Sequence, residues 1–216
     1  IVILYHVLEQ TDQIMKRLLW FAAVAAVCVS CGGKKSGYVI DGKIAEGRTD
    51  LEGKYVYLIP YGSDGAATDS ALIEKNTFKL QGEPTADGLY ALYLKDEGDE
   101  MMSRVGEAPF SAVFVLQKGE MQAVLDSFSY VTGTPENNAF KDIRSVLVDA
   151  QKNYMNLVSN VKEGELEAVK AKAKQLEDEM MAKVKAYIEA NPNKLTTAKL
   201  LTDFQFGLDE KTQEAA

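Results

Sequence analysis

The chain reads as an α+β protein: an antiparallel β-sandwich or open barrel followed by an antiparallel α-helical hairpin and a short third helix. Three observations carry that reading. Between residues 38 and 132 lie short runs rich in Val, Ile, Leu, Tyr and Phe, separated by Gly, Asp, Asn and Pro, the pattern of layered short strands with turns between them. At 133–138 the composition changes to Gly-Thr-Pro-Glu-Asn-Asn. Beyond it, apolar residues recur at spacings of three and four, the period of a helix.

The expected strands are residues 38–45, 54–61, 67–74, 77–82, 88–95, 111–117, 121–126 and 128–132. Tyr55-Val56-Tyr57-Leu58-Ile59 and Tyr90-Ala91-Leu92-Tyr93-Leu94 are apolar on both faces, which assigns them central places. Thr77-Phe78-Lys79-Leu80-Gln81 alternates cleanly, so one of its faces meets solvent. Lys75-Asn76 suits a tight hairpin, because asparagine tolerates positive φ. The charged stretch 96–109 is the longest expected loop of the β-region. It is either a solvated connection or a functional loop on a rigid scaffold.

Thr134 as N-cap, Pro135 at the first helical position and Glu136 in the first turn make a helix start. Phe140, Ile143, Leu147, Ala150, Tyr154, Leu157 and Val161 then form one apolar seam. After Lys162-Glu163-Gly164, a second seam runs through Leu166, Val169, Ala173, Leu176, Met180, Val184 and Ile188, and Asn191-Pro192 ends it. Two such helices joined by a short turn form a hairpin whose seams pack together or receive a partner helix. Met180 and Met181, adjacent on a helix, point to different faces and suit core filling rather than metal binding. Residues 196–206 read as a third helix ending at Gly207-Leu208-Asp209, after which the acidic tail stops without a closing element.

The first 37 residues have a different character. Met15-Lys16-Arg17, the mostly apolar residues 18–30 and Cys31-Gly32-Gly33 reproduce the three parts of a bacterial lipoprotein export signal. Residues 1–14 have no initiator methionine and read as sequence upstream of the true start. Residues 15–30 are then the signal peptide, and 31–37 a lipidated tether ahead of the β-region at 38–133 and the helical segment at 134–216. Cys31 is the expected lipidation site, since Cys28 would leave Val27 where a small residue is needed. A membrane span needs about 20 apolar residues, more than this run supplies. The resemblance to lipoproteins implies cleavage before Cys31 and acylation there, and several acyl chains anchor firmly where one does not.

The formal net charge is −8, and removing residues 1–30 takes away two charges of each sign. An acidic chain without a basic stripe is a poor match for nucleic acid or anionic lipid headgroups. The only histidine is His6 and the only cysteines are Cys28 and Cys31. The segment from residue 32 onward therefore has no imidazole or thiol for nucleophilic, redox or ordinary zinc chemistry. No catalytic residue, metal ligand or cofactor is expected in it.

The run Tyr38-Val39-Ile40-Asp41-Gly42-Lys43-Ile44, then Val56-Tyr57-Leu58, Asp69-Ser70-Ala71, Phe78-Lys79-Leu80-Gln81-Gly82 and Gly133-Thr134-Pro135-Glu136-Asn137-Asn138, resembles the domain of unknown function that precedes thioredoxin-like modules in lipoproteins of the Bacteroidota. The likeness covers about 38–190, and Asn76 stands where glycine is common in that family. It implies a lipid anchor, a β-rich domain, a helical segment and then a thioredoxin fold of the TlpA or AhpC-TSA type with a Cys-x-x-Cys pair. No such pair occurs here, so the chain reads as part of a longer frame, and no redox residue carries over. Two functions follow as expectations. One is a non-catalytic anchoring domain of an envelope thiol-disulfide oxidoreductase; the other is a free-standing lipoprotein binding a peptide, glycan or envelope protein. The expected partners are the membrane, through Cys31, and a thioredoxin-like domain or envelope protein. Gly32-Gly33-Lys34-Lys35 lacks the acidic tag of surface-displayed lipoproteins, which points to the periplasmic face of the outer membrane. A binding surface, if the β-region has one, is expected at Tyr90, Tyr93 and Tyr130 near the 96–109 loop, unless these tyrosines are core.

Overall fold

Period-two alternation places one face of each strand in a shared core, and the strands fall where the sequence puts them. In the computed structural model, which describes residues 37–63, 66–84, 87–94, 110–159, 161 and 166–214, the strands are β1 (Tyr38–Ile44), β2 (Tyr55–Pro60), β3 (Asp69–Leu72), β4 (Thr77–Gly82), β5 (Gly88–Leu94), β6 (Ser111–Leu116), β7 (Gly119–Leu125) and β8 (Tyr130–Thr132). The signal, Cys31, the 96–109 loop and the 162–164 break lie outside the described residues.

Two four-stranded sheets form, ordered β4-β1-β7-β8 and β3-β2-β5-β6. They stack as an open sandwich, not a closed barrel. Neighbouring strands are antiparallel except β1 and β7, which run parallel from Tyr38 opposite Gly119 to Ile44 opposite Leu125. The chain passes between sheets at Lys75-Asn76, where both φ angles are positive, 53° and 58°, and Glu74 and Thr77 exchange backbone hydrogen bonds. This is the expected two-residue hairpin, although its strands belong to different sheets.

The sandwich core joins Ile40, Phe78, Leu80 and Met121 of the first sheet to Leu58, Leu92 and Phe114 of the second. Gly42 is required here: an added Cβ would lie 2.0 Å from the Phe78 ring opposite it. The Tyr38 hydroxyl donates to Asp69 Oδ2 at 3.0 Å and ties β1 to β3 across the layers. Burial, reinforced by that carboxylate, holds its pKa far above the usual tyrosine value.

The helices are α1 (Pro135–Ser159), α2 (Leu166–Ala190), α3 (Leu195–Phe204) with a following 3₁₀ turn (Gln205–Gly207), and α4 (Glu210–Glu214). Only the beginning of α1 (Phe140, Ile143) and the end of α2 (Val184, Tyr187, Ile188) are deeply buried, as in an antiparallel pair standing on its base. They meet Ile59, Ala91 and Val113 on the second sheet's outer face, with Leu200 and Leu208, in a second core. The architecture is thus sheet, sheet, helices. The third layer explains why β2 and β5 are apolar on both faces, while edge strand β4 exposes Thr77, Lys79 and Gln81.

The C-terminal part differs from expectation. The third helix ends at Phe204, and the acidic tail contains α4. Asp209 Oδ1 accepts from the Thr212 N–H at 2.9 Å and its hydroxyl at 2.7 Å. Leu208 just before it is buried. A single capped turn is too short to show a helical period, which is why the pattern missed it.

Candidate functional site

The three tyrosines singled out by sequence do not share a surface. Tyr90 points toward the sandwich core and is partly buried there. Tyr93 lies on the opposite face of β5, against the helical layer. Tyr130 belongs to the first sheet, where Lys141 Nζ sits 5.3 Å from its ring centroid.

Tyr93 does have company. It stands opposite Tyr57, which stands opposite Ser70, and the Tyr57 and Tyr93 rings stack at 5.6 Å between centroids. Tyr55, two residues along the same face of β2, continues the row at 6.3 Å from Tyr57. Burial, then Tyr57, raises the pKa of Tyr93. The helices account for where this row opens. Among the described residues, α1 rests on β6 and β8 and α3 on β5 and β6, and neither makes comparable contact with β3 or β2. Exposure falls along β2 from 47% at Tyr55 to 2% at Ile59. Leu72, opposite Tyr55 on β3, is 38% exposed.

At the other end of β2 the face is closed. Lys199 of α3 lies 4.5 Å from the Tyr61 ring centroid, donates to its hydroxyl at 3.0 Å, and pairs with Asp203 at 2.9 Å. Burial alone lowers the pKa of Lys199, but the bonds to Tyr61 and Asp203 outweigh it and leave the value raised. Tyr61 and Asp203 hold this ammonium group between α3 and the end of β2, so it works as a staple.

The run Gly133 to Asn138 is also structural, residue by residue. Gly133 has φ +110°, and a Cβ there would lie 2.6 Å from the Glu120 carbonyl. Thr134 Oγ1 accepts from the Asn137 N–H at 3.2 Å, and Asn138 Oδ1 accepts from the Gly133 N–H at 3.0 Å. Glu136 reaches from α1 to the start of α3, where Oε1 accepts from the Thr196 N–H at 3.1 Å and its hydroxyl at 3.2 Å. Asn137, 1% exposed, uses its amide as a short strand: Oδ1 accepts from the Val115 N–H at 2.8 Å, and Nδ2 donates to the Val115 carbonyl at 2.9 Å. It occupies the otherwise open edge of β6. Among the described residues, no group of three or more His, Cys, Asp and Glu is placed to hold a metal ion.

Residues 38–140 match the family described as a domain of unknown function, DUF4369. This segment is such a domain. The match takes in all eight strands and ends within the first turns of α1, so the locking run belongs to the DUF4369 segment while α2, α3 and α4 lie beyond it. No curated protein and no solved structure matches the chain.

Between α1 and α2, away from the sheets, runs a groove of about 550 Å³ whose lining includes Leu147, Tyr154, Ala173, Leu176 and Met180. Tyr154, Met155, Val158 and Leu166 are exposed along this outer half of the hairpin. No described helix is long and apolar enough to cross a membrane.

Proposed function

We propose that this chain is the non-catalytic, lipid-anchored N-terminal part of an envelope thiol-disulfide oxidoreductase, held at the periplasmic face of the outer membrane through Cys31. The supporting observation is the DUF4369 match over 38–140, taken with the lipoprotein signal before it and the resemblance to domains that precede thioredoxin-like modules. In this reading the DUF4369 sandwich and its helical layer form a rigid stalk. The locking run supports rigidity, because it ties β6, α1 and α3 together through buried hydrogen bonds. The redox chemistry would belong to a module beyond Ala216. The test is mass spectrometry of the native protein from membranes. The expected result is a polypeptide beginning at acylated Cys31 and carrying a Cys-x-x-Cys module; an unacylated chain, or a native polypeptide without that module, overturns the reading.

The row of Tyr55, Tyr57 and Tyr93 favours a second reading, a free-standing lipoprotein that binds a ligand on this sheet. A native C-terminus near Ala216 combined with acylation at Cys31 would select it.

A further inference from the structure

We propose that the open end of the second sheet, built from Tyr55, Tyr57, Tyr93, Leu72 and Ser70, is a stacking site for a neutral oligosaccharide. It gives the second reading a ligand class, but the site's existence rests on neither anchoring nor a redox module.

Four features point to this class. First, register and alternation put the residues on one face, with Ser70, Tyr57 and Tyr93 directly opposite one another and Tyr55 opposite Leu72. The ring centroids are spaced at 5.6 Å and 6.3 Å, which makes an extended aromatic strip rather than a pocket for a single group. A pyranose ring has a flat C–H face suited to stacking on such rings and a rim of hydroxyls suited to polar tips. Tyrosine supplies both apolar area and a polar tip.

Second, the strip contains no formal charge, although the chain carries −8. A phosphorylated, sulfated or uronic-acid ligand would find no cation among these five side chains, which favours a neutral ligand. Third, its area is small. A stable protein interface uses roughly 20–30 residues a side, far more than these five side chains, so a second copy of the chain or a folded partner would be held poorly. Fourth, the tyrosine hydroxyls have no hydrogen-bond partner among the described residues, in contrast to Tyr38, Tyr61 and Tyr187, whose hydroxyls are engaged inside the protein. The strip is also bounded on one side by the helical layer against which Tyr93 packs.

The test is isothermal titration calorimetry of the full chain, purified in detergent, with maltohexaose, cellohexaose, mannohexaose and chitohexaose, and with hexagalacturonate as the charged comparison. The expected result is saturable binding of at least one neutral hexasaccharide, weaker or no binding of hexagalacturonate, and at least tenfold weaker binding by Tyr55→Ala, with Tyr130→Ala unchanged. Tyr55→Phe, which keeps the ring, should lose only a few-fold. Melting curves of each variant accompany the titrations; if Tyr55→Ala melts early, Leu72→Ala becomes the deciding variant, with weaker binding expected. The proposal is overturned if no neutral sugar binds, if hexagalacturonate binds best, or if the deciding variant binds as wild type. Sedimentation showing a dimer that Tyr55→Ala dissociates, with no sugar bound, would assign the strip to self-association instead.

Discussion

The outer faces of the two sheets have opposite fates. On the first sheet the outward positions include Asp41, Lys79, Gln81 and Gln122. Lys79 and Asp41 form an ion pair between neighbouring strands, and Lys79, Gln81 and Gln122 are exposed. On the second sheet the outward positions are Tyr55, Tyr57, Ile59, Ala91, Tyr93 and Val113, and most of them are under helices. Both faces obey the same period of two. Their difference lies in what the outward positions contain, and that composition determines which face acquires a third layer. The second sheet's face also changes along its length, from the stapled Tyr61 end to the open Tyr55 end.

The largest expected effect comes from unlocking the covered face. Asn137→Ala leaves the buried Val115 N–H and carbonyl without their partners, and each such group costs about 1–3 kcal/mol. Urea denaturation should show a loss of about 3 kcal/mol, and a loss below about 1 kcal/mol would mean that water or a shifted backbone replaces the amide. Gly42→Ala should cost about 2 kcal/mol, in the range of overpacked cores, because its Cβ collides with the Phe78 ring. Combining it with Phe78→Leu should recover part of the loss, which a double-mutant cycle measures. Additivity of the two changes would show that the ring does not rest on Gly42.

Removing the staple is a smaller change. Lys199→Met should cost about 1.5 kcal/mol at neutral pH through its charged hydrogen bonds. The lysine's pKa is raised in the folded state. Its contribution is therefore complete below the unfolded value of about 10.4 and disappears as pH rises through the folded value. The stability gap between wild type and Lys199→Met should close in strong alkali, and a gap that stayed constant would locate the effect in packing alone. Asp209 shows the reverse sign. The hydrogen bond from Lys185, then those from Thr212, hold its pKa well below the usual carboxylate value. Its contribution is present above about pH 3.9 and fades as pH falls toward the folded value, so Asp209→Asn and wild type should converge in strong acid. Tyr55→Ala, on the open end, should change stability by no more than about 0.5 kcal/mol; a larger loss would place Tyr55 in the fold's packing.

Most of the fold was legible because it rests on local patterns. Alternation and turn residues mark all eight strands, and Thr134-Pro135-Glu136 marks the start of α1. Pairing was not legible: β1 lies beside β7 in parallel, although the two are far apart in sequence, and nothing in either run specifies its neighbour. The apolar outer faces of β2 and β5 are visible in the sequence, but a central place in a sheet accounts for them equally well, so the pattern does not reveal the helical cover. The candidate site was partly legible through parity. Tyr55 and Tyr57, two apart, must share a strand face, and Tyr90 and Tyr93, three apart, cannot. That rule already separates Tyr90 from Tyr93. The role of Asn137 had no sequence signal, because an asparagine in a first helical turn ordinarily reads as local capping and not as a substitute strand across 22 residues.

The most direct test of the covered and open ends is hydroxyl-radical footprinting resolved to single tyrosines by mass spectrometry. Rapid oxidation of Tyr55, slower oxidation of Tyr57 and Tyr93, and protection of Tyr38 and Tyr187 are the expected result. Oxidation of Tyr93 as fast as Tyr55, together with loss of protection at Tyr187, would contradict it, because the helices would then not cover the second sheet.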